Sequence, residues 1–122
     1  MNPLYGVLGL AALTALGHSY LSETLFLRPL RAAPCATDHA GPPVPQKLLS
    51  AMFHLPSLFW VGIASAMLFL DPSAAGYRVT LWIFAGLFAV SALGNFWAVG
   101  RVHPGGLMLA SASALTVTAS YA

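Results

Sequence analysis

The chain has 122 residues, of which 58% are hydrophobic and only 7% charged, with a formal net charge of +2 and a mean hydropathy of +0.78. A water-soluble domain carries about 25% charged residues, so this composition excludes a fold that surrounds itself with water, and the surplus apolar surface has to face lipid. No run of Lys or Arg is present, which removes the electrostatic footprint of nucleic-acid binding.

A helix crosses the ~30 Å hydrocarbon core with about 20 mostly apolar residues. The first segment predicted to do so covers residues 3–30 and stops at Arg28, Pro29 and Arg31. Its apolar start, Leu4 to Gly17, has the length of a signal-peptide core. No Lys or Arg precedes it, so it is expected to be the first half of a spanning helix rather than a cleaved leader. The connection that follows is proline-rich, with Pro34, Pro42, Pro43 and Pro45, and is expected to be irregular. It holds Cys35 and His39, which are spaced like a weak metal pair that nothing nearby completes. As the chain has this one cysteine, an internal disulfide is excluded.

The second predicted span covers residues 45–70 and stops at Asp71-Pro72; the third covers residues 77–100 and stops at Arg101. The fourth, residues 105–122, follows His103-Pro104-Gly105-Gly106 and is the shortest and least apolar. In it Ala112, Thr116 and Ser120 form one small-residue stripe, and Ala110 and Ala114 another. Small residues let helix backbones approach closely in lipid, so these five are the expected helix-packing interface, within the bundle or with another subunit. Tight turns between successive helices make them antiparallel neighbours, which predicts an all-α, up-down-up-down four-helix transmembrane bundle in a single domain. Arg28, Arg31, Lys47 and Arg101 border one side and Arg78 the other. The positive-inside rule then puts the first and third connections in the cytoplasm and both termini on the non-cytoplasmic side. Tyr5, Tyr77, Trp82, Trp97 and Tyr121 lie near helix ends, as interfacial anchors do.

Polar residues inside the spans are costly and are expected to face the bundle interior. Counted from the basic ends at ~1.5 Å per residue, Glu23, His54 and Asn95 share a level ~8–12 Å deep, and His18 lies ~7 Å further in. Ser19 stacks with Glu23, Ser91 with Asn95, and Ser50, His54 and Ser57 follow a helical stripe. Pro56 removes an N–H bond to the carbonyl of Met52 beside this layer. The layer (Ser19, Glu23, Ser50, His54, Ser57, Ser91 and Asn95) is read in three ways. It is a buried hydrogen-bonded register, with Glu23 paired to His54 and Asn95 assisting. Or His18, Glu23 and His54, being Zn- and Fe-type ligands, hold a transition metal or haem. Or it forms a proton or ligand pathway. His103 is expected to serve its turn rather than to ligate.

The run His18-Ser19-Tyr20-Leu21-Ser22-Glu23, followed by Leu27 and Pro29-Leu30, resembles the first helix of a group of small bacterial membrane proteins without assigned activity. Phe53-His54-Leu55, Ser57 and Trp60 resemble the start of that group's second helix. Ser22 stands where the group has glycine, and Pro56 where it has a hydroxyl residue. The resemblance covers about half the chain. It implies a four-helix membrane fold and points to His18, Glu23 and His54, and it implies no reaction.

No Gly-x-Ser-x-Gly, P-loop or dinucleotide fingerprint is present, and no enzyme is expected. The leading expectation is a small accessory or structural subunit of a larger respiratory or photosynthetic complex in the bacterial inner membrane, with lipid and other membrane subunits as partners and no cofactor of its own. The alternative is the metal- or haem-binding bundle, and the third is a small oligomeric transporter.

Overall fold

The computed structural model describes residues 2–32 and 46–122, and everything described is helix or connecting turn. Helix α1 (Pro3–Leu21) passes into a π-helical turn (Ser22–Leu27) and then α2 (Arg28–Ala32). Together they make one apolar helix of 30 residues, Pro3–Ala32. The others are α3 (Gln46–Met67), α4 (Tyr77–Val99) and α5 (Pro104–Ala119). Three of the four rods (Pro3–Ala32, Lys47–Met67 and Tyr77–Val99) are long and apolar enough to cross a membrane. Cys35 and His39 lie outside the described residues.

Local chemistry sets the helix ends. Asn2 accepts the N–H of Leu4 at 2.9 Å and Pro3 takes the first helical position, a strong N-terminal signal for α1. Pro104 starts α5 in the same way. At the end of α4, Gly100 adopts φ +70° and its N–H reaches the carbonyls of Phe96 and Trp97. A side chain would strain that left-handed conformation, which is why glycine closes the helix there. Helix α3 ends at Met67, short of the predicted Leu70, because Leu68, Phe69 and Leu70 each bond three residues back in a tightened last turn.

Each rod buries one seam. The seam runs through Leu4, Val7, Ala11 and Thr14 on α1, with Ala15 beside it, and through Ser57, Trp60, Ala64 and Met67 on α3, with Ile63 beside it. On α4 it runs through Leu81, Ala85, Phe88 and Ala92, and on α5 through Leu109, Ala112, Thr116 and Ala119. All four alternate steps of three and four residues, the spacing that keeps a seam facing its neighbours. The opposite faces are apolar as well. Leu16, Leu58, Val90 and Leu93 are exposed, and Phe69 and Trp97 are 88% and 87% exposed. Apolar outward faces on α1, α3 and α4 are the arrangement of helices solvated by lipid.

The packing is not closed all round. Helix α1 lies against both α3 and α5, and α4 lies against α5, whereas α3 and α4 scarcely meet. Ser113 donates to the carbonyl of Ala85 at 2.8 Å, and Arg78 to the carbonyl of Ser120 at 3.2 Å, tying α4 to α5. Phe26 stacks on Phe53 at 5.6 Å, and His18 meets Trp60 at 5.2 Å, tying the first rod to α3. In both pairs residue numbers rise along one helix as they fall along the other.

In the turn after α3, Asp71 Oδ1 accepts the Ser73 hydroxyl at 2.7 Å and the Ser73 N–H at 2.9 Å. These bonds, the hydroxyl first, hold the Asp71 carboxyl below its ordinary range. A depressed native value means that the turn's benefit is full above the ordinary carboxylate pKa and is lost as pH falls through the lowered one. Ser73→Ala is therefore expected to raise the midpoint of Asp71 in a carboxyl-carbon NMR titration; an unchanged midpoint would remove the hydroxyl as its cause.

Candidate functional site

The polar layer separates into two groups. One is built on α1 and α3. Ser57, buried at 5% exposure, accepts the Ser19 hydroxyl at 3.0 Å and lies 3.2 Å from His18 Nδ1. A hydroxyl that accepts from Ser19 has its own proton left to give, and Nδ1 is in reach. Proton placement that satisfies all three side chains leaves His18 Nε2 as the N–H donor. Among the described residues, Nε2 has no hydrogen-bond partner. The imidazole stands edge-on to Trp60, with the planes at 79°. His54 is half-buried.

The second group is built by the π turn. Pro29 has no N–H to give the carbonyl of Leu25, and its ring crowds that carbonyl. The helix widens just before it, and Arg28 N–H bonds the carbonyl of Glu23 five residues back. Thr24 also bonds the carbonyl of Tyr20 at 2.9 Å, which favours bending. In a regular α-helix, residue 28 would sit ~140° round from residue 23. The wider turn brings it back over Glu23, whose Oε1 lies 3.7 Å from Arg28 Nε and also accepts from Arg31.

The expected pairing of Glu23 with His54 is thus replaced by Glu23 with Arg28 and Arg31, because the π turn rotates the arginines onto its face. Asn95 does not assist either group: its amide donates to the carbonyl of Ser91 at 2.9 Å, along its own helix. Ser50 is half-buried. His18, Glu23 and His54 are not gathered as a triad, and among the described residues no three His, Cys, Asp or Glu side chains stand ready to hold a metal ion. His103 packs edge-on against Phe96 at 5.9 Å, and its Nε2 is buried with no partner among the described residues.

Where α3 and α4 diverge, a cleft of about 640 Å³ opens, lined by His18 from α1, by Pro56, Phe59 and Trp60 from α3, and by Gly94 and Asn95 from α4. Among the described residues, none of α3 before Ser57 is buried and none of α4 after Ala92, so the buried faces of α3 and α4 end where the cleft begins. The carbonyl of Met52, freed by Pro56, belongs to a residue at its rim. Phe59, Trp60 and Gly94 lie in the cleft wall, and nothing in the spacing of the residues marks them as site residues. No family model, curated protein or solved structure matches the chain.

Proposed function

We propose that the chain is a multi-pass protein of the bacterial inner membrane, crossing four times up-down-up-down with both termini outside, and that it serves as an accessory subunit packed against a larger membrane complex of the respiratory or photosynthetic kind. The opposed residue numbering along the paired helices supports the alternating order. The same pairings bring Arg28, Arg31, Lys47 and Arg101 towards one end, and Arg78 towards the other, in keeping with a cytoplasmic basic end. The resemblance carried by His18–Glu23 and Phe53–Trp60 points to the same fold.

The observation that carries the subunit reading is the division of α5. Ala112, Thr116 and Ser120 are buried inside the bundle, whereas Ala110 and Ala114, with Ser111 and Thr118, face outwards. An outward strip of small and hydroxyl side chains suits a neighbouring helix better than acyl chains, because it permits close backbone approach. The 16 residues of α5 rise only ~24 Å, less than the ~30 Å core, and a neighbouring subunit would shield the mismatch.

Ala110→Leu/Ala114→Leu is expected to leave the isolated bundle as stable as before while releasing it from its complex. Native electrophoresis of mildly solubilised membranes should move the variant from a large species to a small one. A wild-type chain that already migrates alone, and co-purifies with nothing, would defeat the subunit reading. The metal- or haem-binding alternative draws on the ligand types of His18, Glu23 and His54, and elemental analysis and an absorbance spectrum of the purified protein decide it.

A further inference from the structure

We infer that the cleft between α3 and α4 binds a neutral, lipid-soluble molecule with a flat carbonyl-bearing head, of the quinone class. This rests on the membrane reading above, since the cleft opens sideways to what would then be hydrocarbon.

The chemistry of the walls selects the class. His18, Ser91 and Asn95 are the polar side chains of the lining, and no Lys, Arg, Asp or Glu contributes. An anionic headgroup would therefore enter without a counter-charge, at high cost in a low-dielectric site. A carbonyl oxygen needs only donors, and two are available. His18 offers Nε2–H, held in that tautomer by Ser57, and Asn95 keeps one amide N–H after bonding Ser91. Phe59, half exposed, supplies aromatic surface for a flat ring, and Trp60 lies in the wall behind it. The volume of about 640 Å³ lies within the ~300–1,000 Å³ of small-molecule sites, and an alkyl tail would leave through the open side. Gly94 stands in the wall with no atom within 4 Å of where its Cβ would be, so a side chain there fills the cleft without disturbing the packing.

The test uses the full chain in phosphatidylcholine nanodiscs, with Trp82→Phe and Trp97→Phe so that Trp60 alone reports. Decylubiquinone should quench Trp60 saturably. Gly94→Leu should abolish the saturable phase with an unchanged thermal melt. His18→Phe and Asn95→Leu, each removing one donor, should each weaken binding about tenfold. Quenching that rises without saturation, identically in Gly94→Leu, would mean partition into lipid only and would overturn the inference. So would spontaneous, quinone-independent cross-linking of Gly94→Cys in a Cys35→Ser background, which would show a second copy of the chain in the cleft. A chain that stays soluble without lipid or detergent would instead defeat the membrane reading itself.

Discussion

Phe88→Ala is expected to lower the stability of the solubilised bundle by about 2–3 kcal/mol, read as a shift in its SDS unfolding curve. Phe88 is fully buried at 0% exposure, among the largest side chains of the core. In a water-soluble protein the same truncation costs ~3–5 kcal/mol, part of it the transfer of the ring out of water. In a membrane the unfolded helices are still in an apolar medium, so the transfer contribution largely disappears and the cavity contribution remains. A void of ~100 Å³ at ~24 cal/mol per Å³ gives the figure stated. Leu93→Ala, on the outward face of the same helix at 66% exposure, is expected to change little. Equal losses at both positions would mean that α4 does not present Phe88 to the core.

Gly106→Leu is expected to cost about 2 kcal/mol or more, for the opposite reason of overpacking. A Cβ at Gly106 would stand 2.2 Å from Phe96 Cε1 and 2.6 Å from Cδ1. The ring is held between the core cluster and His103, the N-cap residue of α5, which it meets edge-to-face. The close approach of α5 to α4 therefore depends on the missing side chain. Phe96→Ala should recover much of the loss in the double variant, and the coupling between the two changes measures that contact. Strict additivity would show that the Gly106 defect lies elsewhere, in the turn itself.

Much of the fold can be read from the residues. The second and third apolar segments stop near Asp71-Pro72 and Arg101, where charge and proline punctuate helices, whereas the first runs on through the expected stop at Arg28-Pro29 to Ala32. The division of α5 into stripes is equally visible, since Ala112, Thr116 and Ser120 recur every four residues and are buried together. The site is less legible. Depth counting at ~1.5 Å per residue assumes an unbroken α-helix, and the π turn at Ser22–Leu27 breaks that assumption just where Glu23 sits. Pro29 carries the signal for that turn, but reads equally as a plain helix stop. His18 meets Ser57 because it lies deeper than Glu23, opposite the residue one turn beyond His54. The cleft escapes sequence reasoning altogether. Short connections favour neighbouring helices in contact, yet Met52, Leu55 and Phe59 are exposed on α3 and Gly94 and Ala98 on α4 are too small to fill the gap.

Thiol mapping in intact spheroplasts of a bacterial host tests the four-crossing reading most directly. Native Cys35 should resist an impermeant maleimide until the cells are lysed. In a Cys35→Ser background, Ser73→Cys and Ala122→Cys should both be labelled from outside. Labelling of Cys35 in unbroken cells would invert the orientation, and protection of Ala122→Cys would leave α5 short of a crossing and contradict the four-helix transmembrane bundle.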